Sequence, residues 1–258
     1  MATPEDELAG TEQPFVAHLI ELRERLVRAL IAVGVVFGVL AVYPGAGKLT
    51  DLLARPLVAQ LPAGAHLIAT NVISPFLVPM KITLLAAFLI ALPYVLYQAW
   101  AFIAPGLYSH EKRLVLPLVV SSTVLFLAGV AFCYFIVFAR VFHFIQSFAP
   151  KSITAAPDIE QYLGFVLTMF LAFGTTFEVP VVVVVLVRMG VVPLAKLKSF
   201  RGYFIVLAFI VAAVITPPDI VSQLSLAIPM CLLYEIGLWA ARLVAPPAQD
   251  EAEADSPA

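Results

Sequence analysis

The sequence has 258 residues, of which 62% are hydrophobic and only 12% are charged. That balance excludes a soluble domain of this size and predicts a chain whose solvent is lipid. The formal net charge of −2 gives no reason to expect a nucleic-acid partner. Cys133 and Cys231 both fall inside apolar runs, where thiols are ordinary. We therefore expect one membrane domain over 1–258.

Residues 1–26 are predicted to form a cytoplasmic interfacial helix that leads into the membrane. Its second half carries a stripe of apolar residues at helical spacing, with Glu21–Arg25 and Glu24–Arg28 as i, i+4 pairs. Pattern alone favours a solvated charged face over a binding site. The apolar run that follows has no small-residue cleavage signature, so we expect the first span to remain in the protein.

Six apolar runs within 27–241 predict a six-span bundle, since a spanning helix needs about 20 residues. They lie at roughly 27–43, 82–102, 114–139, 162–187, 202–216 and 220–241. The fifth is the weakest, because its uninterrupted apolar stretch covers only about 20 Å at 1.5 Å per residue. Only 216–219 separate it from the sixth, so we expect these two to form a tight hairpin; a five-span bundle is the alternative. Residues 246–258 have the composition of a disordered tail.

Basic residues set the predicted orientation. Ten of the 15 lysines and arginines fall on one side of the six runs, which the positive-inside rule makes cytoplasmic together with both termini. The other five lie outside, at Lys48, Arg55, Lys81, Arg140 and Lys151. The first outer loop is predicted to contain a short amphipathic helix around Pro56. Prolines inside the spans, at 93, 117, 180 and 229, are expected to curve the bundle.

The sequence carries no sign of an enzyme. It lacks the common hydrolase and metalloprotease motifs, and its four histidines are not at metal-ligand spacing. No metal, nucleotide or cofactor site is predicted.

Three acids stand out by position. Glu178 lies inside an otherwise uncharged run, where an acid costs roughly 2.5 to 3.5 kcal/mol at the bilayer centre, so it is a functional candidate unless a neighbouring helix simply hydrogen-bonds its protonated form. Glu111 precedes the third span, where it could either complement the helix dipole or receive a basic ligand. Asp219 begins the sixth span one turn before Gln223, and this pair is less informative.

Four segments together resemble the TatC family, the signal-peptide-receptor subunit of the twin-arginine protein translocase. Residues 18–23 read His-Leu-Ile-Glu-Leu-Arg, and 102–108 read Phe-Ile-Ala-Pro-Gly-Leu-Tyr, followed by His-Glu-Lys-Arg at 110–113. Residues 177–180 read Phe-Glu-Val-Pro and 216–219 read Thr-Pro-Pro-Asp. Each segment alone would be weak, but their order and their placement relative to the six runs make the combination specific.

The resemblance implies an all-α, glove-shaped bundle of six helices, with spans five and six short, and no enzymatic activity. It implies that twin-arginine signal peptides bind at the cytoplasmic face, at Glu21, Arg23, Phe102, Glu111 and Arg113. Glu178 matches an intramembrane position associated with the apolar part of the signal and with partner subunits. The other matching positions, on the outer side, are Pro56, Asp219 and Gln223. Two arginines would suit two acids, because a carboxylate accepts the guanidinium fork in bidentate fashion.

The resemblance further implies a multi-pass protein of the bacterial inner membrane that exports folded proteins using the proton-motive force. Its expected partners are single-span TatA and TatB-type subunits, further copies of itself in a receptor complex, and membrane lipid.

Two other functions stay open on sequence grounds. A six-span secondary transporter could use Glu178 to carry protons or ions, but it would be expected to show internal repeats, which the sequence lacks. A structural membrane scaffold has no positive feature beyond the bundle.

Overall fold

The structure, a computed structural model, describes residues 4–58, 67–103, 115–148, 158–216 and 218–244. Within these ranges the fold is helical, and the only β contact is an isolated bridge between Ile68 and Asp158. The α-helices are α1 Pro4–Leu40, α2 Ala46–Val58, α3 Ser74–Ile103, α4 Val115–Phe132, α5 Phe138–Phe148, α6 Ile159–Phe177, α7 Val179–Arg188, α8 Leu194–Ser199, α9 Arg201–Ile215 and α10 Ile220–Val244.

The all-α membrane fold expected from the sequence is confirmed. Five helical segments are long and apolar enough to cross a bilayer, namely Val16–Arg55, Ser74–Ile103, Val115–Ile145, Ile159–Arg188 and Ile220–Val244. The remaining apolar run, the fifth, forms α9, whose 15 residues give about 22 Å against a hydrocarbon core of about 30 Å. The fifth span is therefore short, as expected.

The sixth span is not short, which corrects the expectation taken from the family resemblance. α10 has 25 residues, or about 37 Å, because the helix continues beyond its apolar run through Arg242. A long basic side chain at a helix end can reach the interface while its stem stays in lipid, so the backbone has no reason to stop earlier.

The first helix shows no break at the predicted boundary between the interfacial segment and the first span. α1 runs continuously from Pro4 to Leu40, and the chain turns only at a π-helical segment, Ala41–Gly45. Tyr43 there has extended backbone angles, and Gly45 has a φ of 90°, a conformation that glycine tolerates best. The turn leads into α2, the amphipathic helix that the sequence predicted.

We call the end of the bundle where α3 finishes the first face, and the end where α2, α6 and α10 begin the second face. At the second face, α2 is fastened by two tyrosine hydroxyls: Tyr134 donates to the Leu52 carbonyl and Tyr162 to the Leu53 carbonyl, each over 3.0 Å. Both carbonyls lie within α2, so these bonds fix its height over the bundle.

Asp158 organises the start of α6 at the second face. One carboxylate oxygen accepts the backbone N–H groups of Glu160 and Gln161, and the other accepts the Thr70 N–H and hydroxyl. The Thr70 hydroxyl, followed by the backbone donors, lowers the pKa of this exposed carboxyl to about 2. The cap thus ties α6 to the chain segment that precedes α3.

The main core lies where α4, α5 and α6 meet α3 and α10. Phe138, Phe170 and Phe173 are all fully or nearly fully buried there, and the rings of Phe138 and Phe170 stack at 5.5 Å. A second core joins α7 to α10, α8 and α9, where Phe204 stacks on Tyr234 at 3.9 Å. The two cores hold the two halves of the fourth span, which breaks between them.

Candidate functional site

The fourth span breaks at Glu178, because Pro180 has no N–H to donate to the Thr176 carbonyl. α6 ends at Phe177 and α7 starts at Val179, with Glu178 itself still in helical backbone angles. The Val182 N–H donates to the Glu178 carbonyl over 3.0 Å, so the second half resumes at once. The Phe-Glu-Val-Pro segment therefore places one carboxyl at a bend inside the membrane span.

The Glu178 carboxyl is buried without a hydrogen-bond partner among the described residues. Both of its oxygens are shielded from solvent, and neither meets hydrogen-bond geometry. The Ser122 hydroxyl on α4 is nevertheless close enough to interact with it. Ser122 in turn accepts a bond of 2.9 Å from the Trp100 indole on α3. Three spans thus bring polar groups together around an acid whose hydrogen-bonding capacity is unused.

Gln98 adds a second unused acceptor, two residues before Trp100 on α3. Its side chain is only 5% exposed, and its Oε1 has no partner within the described ranges. Unpaired polar atoms in an apolar surrounding cost free energy, so native proteins keep few of them without reason. Glu178 and Gln98 are thus two buried polar groups whose acceptor oxygens have no partner within the described ranges.

At the first face, α1 meets the end of α3 through two rings. His18 stacks on Phe102 with ring centroids 4.2 Å apart and an interplanar angle of 19°. One turn later on α1, Glu21 Oε1 accepts both Arg25 Nε at 2.9 Å and Arg25 Nη2 at 2.6 Å. Glu21 Oε2 lies 3.9 Å from His18 Nδ1. The structure thus brings Glu21 and Phe102 to one corner, which we call the His18 corner.

Arg23 does not join that corner. It lies on the other side of α1, where it lines a shallow cavity of about 280 Å³ with Ile20, Glu24, Val27 and Arg28. It follows His18 by five residues, which turns it about 140° around the helix axis. Glu111 and Arg113 lie outside the described residues.

The predicted positions at the second face are separated from both sites. Asp219 caps α10, since its Oδ1 accepts the Ser222 N–H at 2.7 Å, while its buried Oδ2 has no partner among the described residues. The Gln223 amide donates to the Phe209 carbonyl of α9 over 3.3 Å, which ties the α9–α10 hairpin. Pro56 falls in α2, and its side chain lies outside the described part.

Two contributors were missed by reasoning from sequence. His18 received no role because it lacked metal-ligand spacing, although its position one turn before Glu21 was a usable signal. Ser122 is one of many small residues in apolar runs, and nothing local marks it. Among the described residues, no group of three or more histidine, cysteine or acidic side chains could hold a metal ion.

The chain is similar to known proteins over most of its length. Residues 17–229 match the family model described as Sec-independent protein translocase protein (TatC). The chain is 50% identical over 234 residues to the TatC protein of Haemophilus influenzae, covering 91% of each, and 48% identical over 230 residues to that of Escherichia coli K12, covering 89% of this chain and 88% of the relative.

The TatC protein of Halothiobacillus neapolitanus is 52% identical over 228 residues, which make up 88% of this chain but 62% of that longer relative. A crystal structure of the twin arginine translocase receptor TatC aligns with a TM-score of 0.75 at 41% identity, covering 88% of this chain and 99% of the solved one.

Proposed function

The chain belongs to the TatC family of Sec-independent protein translocase proteins, and from this membership we infer that it is the core receptor subunit of the twin-arginine translocase. It is a multi-pass protein of the bacterial inner membrane and a transport component, not an enzyme. A receptor subunit of this kind needs one surface for the export signal and another for its partner subunits.

We propose that the first face is cytoplasmic and binds the paired arginines of an export signal at the His18 corner. The observation that carries this proposal is the geometry of Glu21. Arg25 occupies only Oε1, so Oε2 keeps lone pairs that can accept an incoming guanidinium. The His18–Phe102 stack lies beside it, with His18 Nδ1 3.9 Å from Oε2.

The second docking acid is Glu111, with Arg113 two residues on. Both belong to the segment that follows Phe102 directly, and Phe102 already contacts α1 one turn from Glu21. The chain therefore starts this segment beside the first acid. Two carboxylates at one corner would match two signal arginines, each through a planar fork that lysine cannot reproduce. Arg23 lies on the far side of α1 and is not proposed to contact the paired arginines.

Glu178 is proposed to meet the apolar part of the signal or the single helix of a TatA or TatB-type subunit. Its buried, unpartnered oxygens would gain a donor from an incoming segment, and the free energy of that new bond would favour assembly. Asp219, Gln223 and Pro56, at the second face, are proposed as further partner contacts. Self-association of this subunit in a receptor complex belongs to the same proposal.

Peptide affinity tests the docking acids. We expect Glu111→Ala and Glu21→Ala each to weaken binding of a twin-arginine peptide by roughly ten- to a hundredfold, the range for a partly desolvated, charge-assisted pair. The double variant should lose less binding free energy than the sum of the two single losses, because both acids hold one ligand. Exchange of the peptide arginines for lysine should weaken binding to the unaltered protein.

Glu24→Ala is the matched control. Glu24 is an exposed acid of the same helix, paired with Arg28 at 3.4 Å on the side away from Phe102. The Glu24→Ala variant removes the same charge as Glu21→Ala and should leave the affinity for the twin-arginine peptide almost unchanged. Equal losses for Glu24→Ala and Glu21→Ala, at low and high salt, would reduce the proposed site to a general charge effect.

Orientation is tested by labelling. Cysteines introduced at Ser109 and Lys198 should be shielded from an impermeant reagent outside the cell, while a cysteine at Ala63 should react. The ten-to-five division of basic residues motivates this expectation. Outside labelling at Ser109 would reverse the orientation and with it the docking proposal.

A further inference from the structure

A groove that the receptor function does not use runs between the third span and α10. Its volume is about 550 Å³, and its walls are almost entirely apolar. The lining includes Phe132 and Ile136 on the third span and Leu224, Ile228 and Ile236 on α10. Arg140 and Val221 stand at the end nearest the second face.

The dimensions of the groove favour one kind of occupant. Along α10 it extends from Val221 to Ile236, which is about 22 Å of helix. A single acyl chain can lie along that length, and the almost entirely apolar walls match its hydrocarbon.

The end of the groove is cationic. Arg140, His143 and Ser147 follow one another at i, i+3 and i+7 on one side of the third span, and all three are exposed. They line a second cavity of about 500 Å³, which adjoins the groove, since both are lined by Arg140 and Val221.

Arg140 has unused charge at that end. Its guanidinium makes neither an ion pair nor a hydrogen bond with any other described residue. No acid of the described ranges lines either cavity. Asp219, two residues before Val221, is turned to its own helix, where it accepts the Ser222 N–H. The charge of Arg140 is therefore available to an anion from outside the described residues.

We propose that this groove is a binding site for one anionic phospholipid, with an acyl chain lying along α10 and the phosphate held by Arg140 beside His143 and Ser147. A phospholipid joins the two chemistries in one molecule, since its anionic head is covalently connected to a hydrocarbon chain. The head then lies at the second face, near the membrane interface, where a cation of this kind is expected to attract anionic heads. The site is distinct from the His18 corner at the other face.

The test is lipid retention by the full-length chain purified in detergent and offered phosphatidylglycerol or phosphatidylethanolamine, read by native mass spectrometry. We expect one phosphatidylglycerol to bind roughly five- to tenfold more tightly than phosphatidylethanolamine, the scale of one basic contact near a membrane surface. Arg140→Gln should abolish that preference. Lys48→Gln, which removes an exposed cation of α2 away from the groove, should preserve it.

Groove filling gives a second readout. Ile228→Trp should reduce retention of both lipids, whereas Ile205→Trp, at a lipid-facing position of α9, should reduce neither. Equal binding of the two lipids, or a preference that survives Arg140→Gln, would overturn the proposal. Photocrosslinking from position 228 to a single-span subunit instead of to lipid would assign the groove to a protein partner and overturn it as well. Twin-arginine peptide affinity should be unchanged in all four variants, so this site and the docking site can fail separately.

Discussion

The ring of Phe126 stands where a Cβ on Gly174 would have to go. Three atoms of that ring lie within van der Waals overlap of the position, and Phe126 is itself only 4% exposed. A similar contact occurs nearby, where the Phe173 carbonyl lies 2.5 Å from the Cβ position of Gly129. α4 and α6 approach this closely only because both positions are glycine, as is common where membrane helices pack.

Gly174→Ala should therefore destabilise the protein by about 1 to 3 kcal/mol, because the buried Phe126 ring has little room to move. Gly164→Ala is the matched control, since it lies on the same helix with open space around its Cβ position. That variant should be neutral or up to about 1 kcal/mol more stable. Thermal unfolding of the purified protein in detergent measures both; equal melting temperatures would show that α4 and α6 can separate without cost.

The intramembrane acid should be dispensable for folding and required for export. Glu178→Leu removes two buried oxygens that have no partner among the described residues, so we expect bundle stability to rise by roughly 1 to 3 kcal/mol while transport of a folded precursor is lost. Glu178→Gln should preserve folding and signal binding but weaken assembly with partner helices. Loss of the Leu variant from membranes would point to a structural role, and full export by the Gln variant would remove any need for an ionisable group.

The His18–Phe102 stack should act as one unit. A double-mutant cycle of His18→Ala and Phe102→Ala on protein stability should give a coupling energy of about 0.5 to 1.5 kcal/mol. Each single variant should also weaken twin-arginine peptide binding by about three- to tenfold, because Glu21 loses its neighbouring support. A Leu96→Ala variant serves as the comparison for peptide binding, because Leu96 lies on α3, like Phe102, but away from this corner. Additive stability losses would show that the two rings meet without interacting.

The cap at Asp158 should make stability depend on pH. Because the folded-state pKa of this carboxyl lies near 2, below the value of about 3.9 for an unfolded aspartate, its contribution is fully present above roughly pH 4. That contribution is lost as the pH falls through about 2. The melting-temperature difference between the protein and Asp158→Ala should thus stay constant from pH 8 to 5 and shrink at lower pH.

Asp51→Ala controls for net charge at the same face, since Asp51 is an exposed acid of α2 without a hydrogen bond to another described residue. A melting-temperature difference for Asp158→Ala that does not change between pH 5 and 2 would contradict the assignment of the cap.

Patterns with a simple physical cause were predictable from sequence. The six apolar runs and the amphipathic α2 follow from the length and polarity that a bilayer demands, and the structure forms a helix at each of them. The larger differences are at helix ends: α3 begins at Ser74 and α10 ends at Val244, beyond their apolar runs. Backbone hydrogen bonding extends a helix past the residues that lipid requires.

The site was only partly predictable, because its parts meet through tertiary packing. Glu178 could be identified from sequence as an acid in an apolar run, since the free-energy cost of placing an acid in lipid depends only on the local sequence. Ser122 and Trp100, which meet beside it from two other spans, carry no local signal. The His18 corner likewise depends on how α1 crosses the end of α3. The docking roles of Glu21 and Glu111 remain predictions from the family resemblance.

The limited packing of α1 against the rest of the bundle has a consequence for its backbone motion. Within the described residues α1 packs chiefly against one helix, α3, and only 6% of the most apolar window in its segment is buried. A helix held on one side opens at a lower free energy than the core, so the backbone amides of the predicted interfacial part of α1, which includes Glu21, should exchange with solvent sooner than those of α6. Glu21 lies on this weakly packed helix. Docking of a signal peptide would then slow amide exchange in this part of α1 and would cost conformational entropy. Signal binding should therefore be detectable as reduced backbone motion of α1 even where the structure of the bundle does not change.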